Sequence, residues 1–204
     1  MKRIGKLRII PIFAPEKPEQ AVQVASALQE AGLDILEITF RSPVAEQAVR
    51  AVLKEYPDML VGAGTLLAVD QLQRAVEAGA KFGVSPGFSE VVTAKAFDMN
   101  LPFLPGVLSP SEISRALALG CKLLKFYPTE VMGGLRLLET LSTPFAHTGV
   151  KLVPTGGITA ENAPGYLALP IVTAVAGSWL APPDVVKSED WKQVKRLATA
   201  ALNL

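Results

Sequence analysis

The chain is poor in the residues that build most covalent and metal chemistry, with one cysteine and one histidine in 204 residues. A single cysteine excludes an internal disulfide framework, and the composition suits a reducing cytosol. A single histidine excludes a His-rich catalytic metal site and leaves little from which to build a Ser–His or Cys–His nucleophile pair. An excess of one charge is missing too. Lys and Arg together number 20 against 19 Asp and Glu, so the basic stripe of a nucleic-acid surface is not expected. A small anionic ligand, which needs only a local site, stays open. Long apolar runs are also lacking. Leu7 to Ala14 is broken by Pro11 and followed by Glu16 and Lys17 with no small-residue cleavage site, unlike a signal peptide, and reads as a first strand. Residues 162–183 carry no charge, but Pro164, Gly165, Pro170, Gly177 and Pro182-Pro183 interrupt them. Their continuous apolar core, Ile171 to Ala181, is shorter than the ~20 residues of a spanning helix. The expectation is a soluble, cytoplasmic protein with no membrane and no nucleic-acid partner.

What is present is a repeated unit: a short apolar run, a turn of Gly, Pro, Ser or Thr, then an amphipathic stretch. The strand candidates are Leu7–Phe13, Asp34–Phe40, Leu60–Gly64, Phe82–Ser85, Phe103–Gly106, Leu123–Tyr127, Lys151–Thr155 and Ile171–Ala176. Between them, Ala21, Val22, Val24, Ala25 and Leu28 recur at helical spacing with Gly32 as a stop. Ser109-Pro110-Ser111-Glu112 reads as a capping box with proline at the first helical position. Trp191, Val194, Ala198 and Ala201 give the last helix one apolar face. Strand–helix units with no composition break predict one domain over residues 1–204. The fold class expected is α/β, a compact (β/α)8 TIM barrel built from minimal units, since ~250 residues is typical. A doubly wound sheet is the rival. Its dinucleotide fingerprint fails, because Gly62-Ala63-Gly64-Thr65 is followed by Leu67 where a third glycine should stand.

Two ionisable residues sit in the middle of apolar strands. Lys125 lies in Leu123-Leu124-Lys125-Phe126-Tyr127-Pro128, and Glu37 in Ile35-Leu36-Glu37-Ile38-Thr39-Phe40. An amine placed among apolar side chains loses hydration, which favours its uncharged form, and a free amine can attack a carbonyl to give a Schiff base. Strand side chains alternate in direction. With Leu36, Ile38 and Phe40 facing helices, Glu37, Thr39 and Arg41 point to the barrel axis or its mouth. The same rule sends Leu124 and Phe126 outward, and Leu123, Lys125 and Tyr127 inward. A convergent Lys/Glu pair is a catalytic candidate, and it is equally the pattern of a buried structural ion pair.

In a barrel the chemistry sits at the C-terminal ends of the strands. Gly64-Thr65, Ser85-Pro86-Gly87, Pro105-Gly106, Thr155-Gly156-Gly157 and Gly177-Ser178 fall there. The last two follow the seventh and eighth strand candidates, where barrels often hold phosphate on backbone N–H groups, with Ser178 adding a hydroxyl. His147 and Cys121 precede strands and fall at the opposite end. An all-carboxylate magnesium site would need more acids than Glu37 at the mouth. Amine catalysis with a carboxylate partner remains.

Leu36-Glu37-Ile38-Thr39-Phe40-Arg41, Val61-Gly62-Ala63-Gly64-Thr65, Val84-Ser85-Pro86-Gly87 and Leu104-Pro105-Gly106-Val107 resemble, in order and spacing, the 2-keto-3-deoxy-6-phosphogluconate aldolases. So do Leu124-Lys125-Phe126-Tyr127-Pro128, Pro154-Thr155-Gly156-Gly157-Ile158 and Gly177-Ser178-Trp179-Leu180. That family includes bifunctional enzymes that also act on 4-hydroxy-2-oxoglutarate. The resemblance implies a class I, metal-independent aldolase without cofactor, usually a homotrimer, serving carbohydrate metabolism in the Entner–Doudoroff pathway. It implies Lys125 as the Schiff-base lysine and Glu37 as general acid/base. Arg41 and Thr65 would meet the substrate carboxylate, with Pro86 shaping that pocket. Tyr127 would flank the lysine, Thr155 would sit between the two ends, and Gly156, Gly157, Gly177 and Ser178 would serve the phosphate end. The implied small-molecule partners are a phosphorylated 2-keto acid, pyruvate and glyceraldehyde 3-phosphate. Tyr127 stands where phenylalanine is common, and Ala176 where a second glycine often precedes Gly-Ser-Trp, which is expected to narrow the phosphate pocket slightly. The alternatives are a phosphate-binding barrel of other specificity, such as a 2-keto-3-deoxy-6-phosphogalactonate aldolase, a decarboxylase or an isomerase, or a non-catalytic barrel that only binds a phosphorylated metabolite.

Overall fold

The computed structural model describes residues 2–204. Its strands are β1 (Ile9–Phe13), β2 (Ile35–Thr39), β3 (Leu60–Gly64), β4 (Phe82–Val84), β5 (Phe103–Leu104), β6 (Gly106–Val107), β7 (Leu123–Phe126), β8 (Lys151–Pro154) and β9 (Val175–Gly177). All pair in parallel, in the orders β5-β4-β3-β2-β1-β9 and β6-β7-β8. The protein is thus an α/β fold around a curled parallel sheet. Only Pro105 separates β5 from β6, and single bridges, Leu152↔Val172 and Thr155↔Ala176, run from β8 and its end to β9 and the segment before it.

Parallel strands buried on both faces need apolar residues in both directions. β2 is buried at all five positions, and Leu36, Ile38, Leu124 and Phe126 have no solvent exposure. Helices follow most strands and supply the outer cover. In Pro18–Glu30 the buried residues are Ala21, Val24, Ala25, Ala27 and Leu28, four of them at the spacing of one helical face, and the chain leaves through Gly32 at φ +89°. Trp191–Ala201 packs on it through Val194, Ala198 and Ala201. At Pro110–Ala118 the expected capping box forms. Ser109 Oγ accepts from the Glu112 N–H at 3.3 Å, and Glu112 Oε2 accepts from the Ser109 N–H at 2.9 Å. Among the described residues no helix is long and apolar enough to cross a membrane.

Three boundaries differ from the sequence reading. The stretch before β1 is not strand: Lys2–Leu7 is a helix that sinks Ile4 completely. Arg8, at φ +61°, separates that helix from Ile9, where the strand begins. Phe103–Gly106 is two short strands because Pro105 has no N–H to donate, although its carbonyl still accepts from the Lys125 N–H at 3.0 Å. The final run, expected as strand from Ile171, becomes one only at Val175. The Val172 N–H is spent on Leu169 O at 2.9 Å, so Ile171 closes a turn and the buried Val172 makes only a single bridge to Leu152.

Gly62 in β3 is paired with Phe82 in β4. A Cβ there would stand 2.2 Å from the Phe82 ring, which is itself buried. Gly62→Ala is therefore expected to destabilise by about 2–3 kcal/mol through overpacking, read as a fall in Tm of roughly 5–10 °C. An unchanged Tm would contradict this packing.

Candidate active site

Parallel register brings two charges inward from well-separated strands. Glu37 in β2 stands beside Ile12 and Gly62, and Lys125 in β7 beside Gly106 and Val153. Lys125 Nζ lies 3.6 Å from Glu37 Oε1, with the residues 7% and 2% exposed. At that distance the charges compensate each other without a tight hydrogen bond, and Glu37 Oε1 accepts none from any described residue. A buried carboxylate oxygen left without a donor is unusual, and it leaves a lone pair free for an incoming proton. Room for it comes from Gly64, where a Cβ would lie 2.1 Å from Oε1.

The pair opens into a cavity of about 600 Å³ at the C-terminal ends of the strands. Its wall brings together every site residue expected from the sequence. Arg41, Thr65 and Pro86 come from the ends of β2, β3 and β4; Thr155, Gly156, Gly157, Gly177 and Ser178 come from the ends of β8 and β9. Arg41 is exposed at the mouth, its Nε donating to Thr39 Oγ1 at 3.4 Å. Thr65 sits at φ +62°, a left-handed conformation that strains a β-branched residue and is typical of functional loops. The Pro86 turn is held by Ser85, whose Oγ donates to Gly87 O at 2.8 Å and accepts from the Gly106 N–H at 3.3 Å. Gly156 and Gly157 follow β8 with φ +94° and +80°. Tyr127, 39% exposed, places its ring centroid 5.4 Å from Lys125 Nζ.

One expectation is corrected. Ala176 is buried in β9, paired with Ile10 and bridged to Thr155, and it does not line the cavity. Thr39, expected to point to the barrel axis or mouth, lines the wall, and residues for which no site role was expected complete it: Ile12, Ile158, Thr159, Trp179, Pro182 and Pro183. Thr39 carried a signal, since it shares the Glu37 parity. The apolar ones carried none. Cys121 is buried before β7, where burial pushes its thiol up, and His147 lies in a short turn before β8, both away from this cavity. Among the described residues no three His, Cys, Asp or Glu are grouped to hold a metal ion.

With this geometry in hand, comparison with known proteins gives a consistent result. A family model described as "Aldolase: KDPG and KHG aldolase" matches residues 1–197. The chain is 42% identical over 201 residues to a 2-dehydro-3-deoxy-phosphogluconate aldolase of Treponema pallidum, covering 98% of this chain and 95% of that one. It is 39% identical over 194 residues to the KHG/KDPG aldolase of Escherichia coli K12, covering 95% and 90%. A crystal structure of KDPG aldolase from Legionella pneumophila, with pyruvate captured as a covalent carbinolamine intermediate, superposes with a TM-score of 0.93 at 36% identity, covering 97% and 95%. An inward lysine and glutamate at the floor of a strand-end cavity, within a chain so matched from end to end, lead to one conclusion: the protein belongs to the KDPG and KHG aldolase family.

Proposed function

We propose that the chain is a class I aldolase that cleaves 2-keto-3-deoxy-6-phosphogluconate to pyruvate and glyceraldehyde 3-phosphate, and 4-hydroxy-2-oxoglutarate to pyruvate and glyoxylate. The observation that carries this reading is the buried Lys125–Glu37 pair, 3.6 Å apart at the base of a cavity large enough for a six-carbon phosphate. The names of the relatives support the choice of substrate.

The mechanism follows from the chemistry of these groups. Arg41 binds the substrate carboxylate through parallel hydrogen bonds, with Thr65 and Pro86 fixing the keto acid against Lys125. The Lys125 amine, its proton passed to Glu37, attacks C2 and forms a carbinolamine. Glu37 gives that proton to the departing C2 hydroxyl, and loss of water leaves a protonated imine conjugated to the carboxylate and Glu37 again ionised. Glu37 takes the C4 hydroxyl proton, the C3–C4 bond breaks, and its electrons move into the imine to give an enamine. The aldehyde leaves, Glu37 returns a proton to C3, and water hydrolyses the imine to release pyruvate and restore Lys125. The imine is the electron sink, so the steps as written call on no metal or cofactor. Gly156, Gly157, Gly177 and Ser178 hold the phosphate through N–H groups and a hydroxyl, Thr155 lies between the two ends, and Tyr127 shields one side of the imine.

The same reading extends to architecture. The Pro105 interruption and the bridges between β8 and β9 support counting the strands as one closed (β/α)8 barrel forming a single domain over residues 1–204. Assembly as a homotrimer and a cytoplasmic location belong to the proposal through the family resemblance, with light scattering of the purified chain as the test of the trimer.

Lys125→Ala is expected to abolish turnover while leaving the far-ultraviolet circular dichroism unchanged; substantial residual activity would remove the lysine from the mechanism. Glu37→Gln keeps the shape of the side chain and should still form the imine with pyruvate, but slow cleavage by ~100-fold or more. Gly64→Ala should push the Glu37 carboxylate off its position and lower kcat by ~100-fold. Wild-type kcat in that variant would show that the carboxylate does not need the place Gly64 gives it.

A further inference from the structure

Two residues outside the cavity wall, Tyr166 and Glu130, are joined to the glycine turn that follows β8. Tyr166 is 1% exposed, on the helix Ala163–Leu167, and its hydroxyl donates to Glu130 Oε1. Burial, and then the carboxylate acceptor, push the phenol well above its ordinary range, so the hydroxyl is a permanent donor. Glu130 follows β7 in the turn Glu130–Met132 and is exposed. Its backbone N–H donates to Gly156 O at 3.1 Å, and the neighbouring Thr129 N–H donates to Thr155 O at 2.9 Å.

The Glu130 stem lies against Gly157, where a Cβ would stand 2.5 Å from Glu130 Cβ and 2.6 Å from Cγ. On the other side, Asn162 Nδ2 donates to Gly157 O at 2.9 Å. The Gly156 carbonyl is therefore gripped by Glu130 and the Gly157 carbonyl by Asn162, while the side chain packed on Gly157 is anchored at its far end by Tyr166. Two successive residues at positive φ have no helix or sheet ladder of their own to hold them. Without outside contacts their N–H groups would not stay aimed at one point.

We propose that Tyr166 and Glu130 are positioning residues for the phosphate end of the cavity, a step that rests on the aldolase reading above. Tyr166 performs two tasks. It fixes the Glu130 stem against Gly157, so that the glycine N–H groups face the anion before it arrives. It also tethers the Glu130 carboxylate, which would otherwise be free to repel a phosphate dianion from the next loop. Neither task touches the reacting carbons, so the effect falls on binding of phosphorylated ligands and not on imine chemistry.

The test compares wild type with Tyr166→Phe, Glu130→Ala and Glu130→Gln in the full chain. KM and kcat are measured for 2-keto-3-deoxy-6-phosphogluconate. A parallel experiment measures the pyruvate concentration that gives half-maximal borohydride inactivation, a readout with no phosphate in it. Tyr166→Phe keeps the ring and is expected to raise KM for the phosphorylated substrate about tenfold with kcat little changed, the scale of one lost hydrogen bond in a binding site. Half-maximal pyruvate should not move. Glu130→Gln retains an acceptor for the Tyr166 hydroxyl and should keep KM within about twofold of wild type. Should the Phe variant fold poorly, Glu130→Ala, at an exposed position, must give the same selective rise in KM. A wild-type KM in whichever of these two is folded, or a matching shift in half-maximal pyruvate, overturns the proposal and leaves the aldolase reading standing. A wild-type chain that pyruvate and borohydride fail to inactivate removes that reading and this proposal together.

Discussion

Two opposite charges held in an apolar interior govern the arrangement of this molecule. Removing a lysine and a glutamate from water is costly for each alone, and each is tolerable because the other is there. Lys125 and Glu37 stand on strands that are not neighbours in the sheet, so the sequence around each must fix a register across the interior. Glu37 stands beside Gly62 and has Gly64 in front of its carboxylate, while Lys125 stands beside Gly106. Small residues occur where the charged side chains need space, and bulky ones, Leu36, Ile38, Leu124 and Phe126, fill the opposite parity. The pair is compensated but loose at 3.6 Å, close enough for the proton exchange that the proposed mechanism asks of it.

The two ends of the cavity are built by different physical means. The end proposed for the carboxylate offers a side chain, Arg41, together with a threonine held at positive φ and a proline turn braced by Ser85. The end proposed for the phosphate offers backbone, in glycines whose carbonyls are tied down by Glu130 and Asn162. A planar carboxylate suits a bidentate guanidinium, and a phosphate with its several oxygens suits convergent N–H groups. On the proposal made for Tyr166 and Glu130, the turn Glu130–Met132 and the helix Ala163–Leu167 serve the site although neither lines it.

Much of this was legible in the residues. Alternation along two apolar strands placed Glu37 and Lys125 inward without reference to their chemistry, and the glycine-rich strand ends marked one mouth. The failures have physical causes. Leu7 and Arg8 read as the start of the first strand because nothing in their composition announces the helix Lys2–Leu7 or the left-handed Arg8 that follows it. Ile171 to Ala174 look like continuous strand because burial in a turn or beside an isolated bridge demands the same apolar residues as burial in a sheet. Ile12, Ile158, Trp179 and the prolines of the cavity wall are indistinguishable in sequence from core. Tyr166 and Glu130 are 36 residues apart, and their meeting is a fact of the folded chain alone.

The account stands on imine formation at one lysine. Incubation with pyruvate and borohydride, followed by peptide mass mapping, tests it most directly. A reduced pyruvyl adduct on Lys125, absent when Lys125 is replaced by alanine, is the predicted result. Folded protein that carries no adduct, or carries it on another lysine, would contradict the account and return Lys125 and Glu37 to the role of a structural ion pair.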